Sequence, residues 1–408
     1  MHMAHNFRWF LMALSVLLAF GAGGTGAARA TSFATLYSFC TDFESSICVD
    51  GESSASRLLQ VGEAFYGATS AGGSKGHGTL FRISTSGSLT TIYAFCQLSF
   101  CTDGDGPGDY LAYSPHKALY GITHGGGTSN GGTIFKVLSP GKISVVYRFC
   151  VKANCSDGIY PVSVVFDAGG TLFGTTSAGG SQGSGIAFTI DSSGALNVLH
   201  NFCSAANCAD GVTPGALILG KDGDFYGTTS AGGAHQAGSV FRMTQAGVVK
   251  TLYSFCAEKA CADGEQPTSI LAQASDGNFY GTTVRGGANN VGVVFQITPA
   301  GVFKASHSFC GNAFCYDGST PVDGVTAGRD GSLYGTTSSG GRLYHGIVFR
   351  MTTAGAFSVV YNFCALRGCF DGSGPFTAPV QGTDGSFYGA TAGGGDTNNE
   401  GVIYRLTP

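Results

Sequence analysis

From Thr31 to Pro408 the chain is one unit written seven times, and that periodicity restricts its fold more than any other feature. A Phe-Cys pair recurs with its cysteine at Cys40, Cys96, Cys150, Cys203, Cys256, Cys310 and Cys364, every 53 to 56 residues. An aromatic-Gly pair keeps step with it, at Tyr66, Tyr120, Phe173, Tyr226, Tyr280, Tyr334 and Tyr388. A unit of this size cannot bury its own apolar face, so it must pack against copies of itself.

The fourth unit shows what is being repeated. Pro214 to Gly220 is short and apolar, and Lys221-Asp-Gly-Asp is a turn. Phe225 to Ser230 is a second strand, followed by the glycine-rich loop 231–238. Ser239 to Thr244 alternates as a third strand, Gln245-Ala-Gly turns, and Val248 to Phe255 is a fourth. Four strands of about six residues joined by x-Gly turns form an antiparallel meander, and meanders repeated radially are propeller blades. The termini choose a ring over an open stack. Phe33 to Cys40 reads as a fourth strand without its first three, and Gly401 to Leu406 as a third without its fourth. The sequence therefore predicts an all-β, seven-bladed β-propeller of four-stranded antiparallel blades, in which residues 33–39 pair with 401–406.

Residues 1–30 read as a cleaved signal peptide. Arg8 supplies the positive start, Phe10 to Phe20 is the apolar stretch, and Ala28-Arg29-Ala30 has the small-x-small form of a cleavage site. Eleven apolar residues are too few to span a bilayer. The expected mature chain, 31–408, is a secreted or periplasmic monomer with no membrane span. Losing Arg8 and Arg29 moves its formal charge from −4 to −6, and 11% charged residues leave no basic stripe for nucleic acid.

All fourteen cysteines lie in the repeats, two to each. The predicted disulfides are Cys40–Cys48, Cys96–Cys101, Cys150–Cys155, Cys203–Cys208, Cys256–Cys261, Cys310–Cys315 and Cys364–Cys369. An even count, an export signal and pairing by repeat all favour them. Zinc needs four ligands at a structural site, and no third or fourth cysteine or histidine accompanies each pair along the chain.

The pattern Asp222-Gly223, Tyr226-Gly-Thr-Thr229, Gly232-Gly233, Gly238, Phe241 and Tyr253-Ser-Phe255 resembles the Gloeo-Verruco tandem repeat of exported bacterial proteins. The likeness extends over all seven units. It implies export but supplies no activity or catalytic residues. Many members carry a C-terminal sorting anchor, and with none before Pro408 surface anchoring is not expected. A weaker likeness, through D-G-x-Φ-Y-G and the Gly-Gly pair, is to kelch and streptogramin-lyase-type propellers, without the kelch tryptophan.

In a propeller the first strands line the central channel, and the glycine-rich loops share a face with the C-x4-C-x-D-G turns. The repeated aspartates, from Asp50 to Asp371, suit turn formation better than metal binding. Asp103, Asp105 and Asp109 place oxygens at alternating positions, a calcium-like spacing that Pro107 interrupts. No motif calls for a cofactor. Function is sought where units differ. The loops hold Lys75 and His77, His124, Gln182, His235 and Gln236, Arg285 with Asn289 and Asn290, Arg342 with Tyr344 and His345, and Asp396 with Glu400. The predicted ligand site combines His124, His235, Arg285, Arg342, Tyr344 and His345, suited to an extracellular glycan or protein. The alternative is a lyase or hydrolase acting on a polysaccharide or small molecule, with His124, His235 and His345 as acid/base groups. His200 and His307 replace the tyrosine of the Tyr-x-Phe strand and are expected to be structural.

Thiol titration of the denatured, unreduced mature protein is expected to find no free thiol. Several thiols per chain would refute the disulfide assignment.

Overall fold

The computed structural model describes residues 31–408 apart from 42, 45, 46, 55 and 397. The proposed signal peptide, 1–30, lies outside the described residues. Seven antiparallel blade sheets follow one another around a ring, six of them meanders in chain order. Blades one to six have Ala64–Thr69, Leu119–Gly125, Leu172–Ala178, Phe225–Ala231, Phe279–Thr282 and Ser332–Thr337 as their second strands. The seventh blade is built from both ends of the chain. Its strands are Val380–Gln381, Phe387–Ala390, Val402–Thr407 and, outermost, Ser32–Ser38. No helix among the described residues is long and apolar enough to cross a membrane.

The closing pair runs antiparallel from Ser32 opposite Thr407 to Ser38 opposite Val402, with Phe33 opposite Leu406. Phe33 lies flat on Tyr361 of the sixth blade, ring centroids 3.9 Å apart. The same stack joins Tyr253 to Phe303 and His307 to Phe357 between other blades. Nearer the axis, Tyr388 of blade seven packs on Phe65 of blade one as Tyr226 packs on Phe279. The ring thus closes with the contacts that join its interior blades.

The repeat signature is explained by packing. The glycine after each aromatic makes room for the next strand's phenylalanine: a Cβ on Gly227 would lie 2.7 Å from the Phe241 ring. The second threonine of Tyr-Gly-Thr-Thr turns inward, as where Thr229 Oγ1 donates to the Ala231 carbonyl and meets Ser239 Oγ at 2.8 Å.

Two features depart from the sequence reading. The first strand of blade four is broken into Val212–Pro214 and Ile218–Leu219. Thr213 takes a left-handed φ of 55°, and Pro214 has no N–H for the ladder. Short 3-10 turns also appear within the disulfide loops, as at Ala153–Cys155 and Lys259–Cys261.

Tyr404 stands where the other six blades carry phenylalanine (Phe241 in blade four). Its hydroxyl is buried without a hydrogen-bond partner among the described residues, and burial pushes its pKa well up. Tyr404→Phe is expected to stabilise the protein by about 1 kcal/mol, because an unsatisfied buried hydroxyl is removed; denaturant unfolding measures it. Deleting Ser32–Ser38 should expose Val402–Thr407 as an open edge and cause aggregation, visible by light scattering.

Candidate functional site: the disulfide-turn face

Each blade presents a disulfide turn organised by one carboxylate. Asp263 accepts hydrogen bonds from the amides of Ala257 and Glu258 and from the Tyr253 hydroxyl. Asp103, Asp157 and Asp371 do the same with Tyr93, Tyr147 and Tyr361. Burial, then the bonded aspartate, pushes these tyrosines well above their ordinary pKa. His200 and His307 take the tyrosine's place, 3.0 Å from Asp210 and 3.2 Å from Asp317. These carboxylates are engaged in holding turns. Asp103 is among them, Asp105 pairs with His77 at 2.7 Å, and Asp109 lies beside Asp323. The calcium candidate Asp103, Asp105 and Asp109 is therefore divided among three different environments.

The turns and the glycine-rich loops are tied together. The second glycine of each Gly-Gly pair donates to the carbonyl of the second cysteine of the turn before it. Examples are Gly127 to Cys101, Gly233 to Cys208 and Gly341 to Cys315. The first glycine lies against the same turn: a Cβ on Gly72 would stand 2.7 Å from the Cys48 carbonyl, and its φ is 73°. All seven cysteine pairs are disulfide-bonded. Each closes a short loop, worth roughly 2 kcal/mol by chain entropy. Together they match an oxidising, extracytoplasmic setting.

This face carries exposed aromatic side chains. Phe100, inside the Cys96–Cys101 turn, is 94% exposed, and Phe314 and Tyr344 are 56% and 61% exposed. Phe314 and Tyr316 stack at 5.4 Å. Phe314, Ser339 and Tyr344 line one open cleft of about 320 Å³. Arg342, Tyr316 and Asn362 line a second of about 320 Å³. Phe100 also holds a left-handed φ of 59° at a position where Asn154, Asn207, Ala260 and Gly368 stand in other turns. Asparagine and glycine suit that conformation and phenylalanine does not.

The structure gathers only part of the sequence-predicted constellation. Arg342, Tyr344 and His345 share the blade-six loop, and all three are exposed. His235 and Arg285 are exposed on the loops of blades four and five. His124 lies at the end of a blade-two strand, in reach of the Pro161 carbonyl. Its surroundings strip water from the ring and lower its pKa, although part of its surface stays open. No side-chain hydrogen bond joins these six residues to one another among the described residues.

Sequence reasoning missed a second cluster at the axis. Arg57, Tyr110 and Asp323 meet from blades one, two and six. Arg57 reaches Asp323 at 3.4 Å and donates to Thr326 at 2.6 Å. The Tyr110 hydroxyl donates to Asp323, as does the Ala378 amide. Asp323 is 5% exposed, and burial raises its pKa despite Arg57. The guanidinium and phenol border an axial cavity of about 430 Å³ walled by first-strand residues such as Val164, Leu217 and Ile270. The signal was present in the sequence. Asp109 and Asp323 stand six residues after the turn aspartate, where other repeats have Ser56, Ser163, Ala216, Ser269 and Thr377.

Asp109 keeps solvent access, yet protein surrounds its carboxyl, and that enclosure together with Asp323 pushes it to about 7. Its folded-state pKa exceeds the unfolded value, so the group opposes folding increasingly from about pH 4 up to 7. Asp109→Asn should therefore raise Tm more at pH 8 than at pH 5. Asp263→Ala, which releases two turn amides and a tyrosine hydroxyl, should cost about 3 kcal/mol in denaturant unfolding.

Comparison with known proteins places these features in context. A family model described as the Gloeobacter/Verrucomicrobia repeat matches residues 19–163 and 147–328. No curated protein matches the chain. Among solved structures, the extracellular domain of BT4673 from B. thetaiotaomicron superposes with a TM-score of 0.57 at 12% identity, over 93% of this chain and 42% of that one. The gluconolactonase XC5397 of Xanthomonas campestris matches at 13% identity and TM-score 0.44, over 73% of this chain and 84% of its own. At these identities the likeness shows the propeller fold alone.

Proposed function

The chain belongs to the Gloeobacter/Verrucomicrobia repeat family, and we propose that it is an exported binding module that takes an extracellular glycan or protein on its disulfide-turn face. Phe100 carries the reading. A residue in left-handed conformation costs about 1 kcal/mol unless it is glycine or asparagine, and Phe100 spends that strain on a ring 94% open to solvent. Exposed aromatics on a rigid frame favour recognition because they offer large contact area with little side-chain entropy to lose. Phe314 and Tyr344, flanking a cleft, stand on the same face at another blade junction. Arg342 beside them suits a carboxylate, as on a uronic-acid sugar or an acidic protein segment. The divided histidines give no comparable support to acid/base catalysis.

The test is a screen of the mature protein against a glycan array and a panel of extracellular proteins, followed by variants. Phe100→Asn should raise Tm while weakening binding, the opposite sign from a structural residue. Phe314→Ala and Tyr344→Ala should weaken binding at least tenfold at nearly unchanged Tm. Binding unaffected by all three variants would overturn the reading, and the class of hit separates glycan from protein.

A further inference from the structure

The disulfide turns are not equivalent, and two of them have a histidine that the linear sequence does not associate with its cysteine pair. The ligand atoms of His77, Cys96 and Cys101 lie within 4.8 Å of one another, and so do those of His345, Cys364 and Cys369. In both cases the histidine precedes the first cysteine by nineteen residues, at the loop position just before the last glycine. Elsewhere that position holds Gly131, Ser184, Ala237, Val291 and Glu400.

The placement is imposed by the backbone. The carbonyl of this loop residue accepts a hydrogen bond from the chain just beyond the turn aspartate: Gly106 to His77, Tyr160 to Gly131, Thr213 to Ser184, Gln266 to Ala237, Thr320 to Val291 and Gly374 to His345. Any side chain at this position is thereby set beside the adjoining disulfide. An imidazole there has two sulfurs as neighbours. His77 is further oriented by Asp105, whose Oδ1 lies 2.7 Å from Nδ1. That leaves Nε2 for a metal, the arrangement in which a carboxylate fixes a ligating imidazole.

We propose that these two turns are redox-gated zinc sites, closed while the disulfide is intact and opened by thiol reductants. Two external thiols reduce the Cys96–Cys101 bond, leaving as one external disulfide and transferring two protons and two electrons to the cysteine sulfurs. Zinc then displaces both thiol protons to solvent and binds two thiolates and the imidazole of His77, with a fourth position open to water. The same steps hold at His345, Cys364 and Cys369. Two sulfurs and one imidazole suit zinc's ligand preferences. Among the described residues, the five turns without histidine bring no third such ligand to their cysteine pair.

The experiment uses the mature protein, oxidised or fully reduced under nitrogen, with zinc uptake measured after gel filtration and the fold followed by circular dichroism. Cobalt(II) serves as a spectroscopic probe through its thiolate charge-transfer absorption. The reduced protein should retain two zinc ions per chain and the oxidised protein none. His77→Ala and His345→Ala should each retain one, and the double variant none, with loss of the cobalt absorption. Equal uptake by the double variant or by the oxidised chain would overturn the proposal. So would absence of uptake by the reduced, folded chain. Loss of the β-sheet spectrum on reduction would overturn it as well, because only the folded loop brings each histidine to its cysteines.

Discussion

The carboxylate of the turn aspartate is the point on which each blade junction depends. Asp263 holds two backbone amides of the cysteine turn and a side chain of the preceding strand, so one group fixes turn, strand and the entry to the next blade. A charged acceptor makes these bonds stronger than neutral ones. The disulfide beneath them adds loop closure, and the Gly-Gly amide bonded to the second cysteine anchors the neighbouring loop. His200 can serve as the third donor, and His307 stands 3.2 Å from Asp317, so both are accommodated without a change of architecture.

The fold was legible because it is periodic. A hydrophobic pattern that is ambiguous once becomes decisive when written seven times, and the half-blades at either end are readable as complementary strands. Local irregularity was less legible. The break near Thr213 depends on a left-handed backbone angle, for which threonine is a poor signal. On the loop face, what the sequence shows is where one unit departs from the others. Tyr344 and Arg342 are legible as loop departures, whereas Phe100 is hidden in a cysteine turn that every unit repeats. The axial group of Arg57, Tyr110 and Asp323 is not legible as a cluster, because residues from three blades meet only once the ring closes. His77 and His345 are legible as loop departures, but not as neighbours of a disulfide. Their proximity to cysteine depends on a hydrogen bond between a loop and the turn after it, and linear spacing of ligands does not reveal that.

The axis and the face have different physical characters. At the axis, Arg57 bridges toward Asp323 with further donors from Tyr110 and Ala378. Truncating one partner would strand a buried charge, so this cluster braces blades one, two, six and seven against one another. On the face, by contrast, side chains stand in water on a backbone that disulfides hold in place. Exchange of those side chains costs the frame little, so the face can vary while the ring persists.

The bond from each loop carbonyl to the chain beyond the following turn also bears on how such a protein diversifies. Because each patch of loop and disulfide turn is shared by adjacent blades, the heritable module is the junction rather than the repeat. Transplanting one blade into a related ring would carry over two half-patches and match neither. Cutting the gene within strands and exchanging the segment from one blade's middle to the next would move a whole patch intact. Recombination breakpoints that preserve function are then offset by half a period from those that preserve the blade.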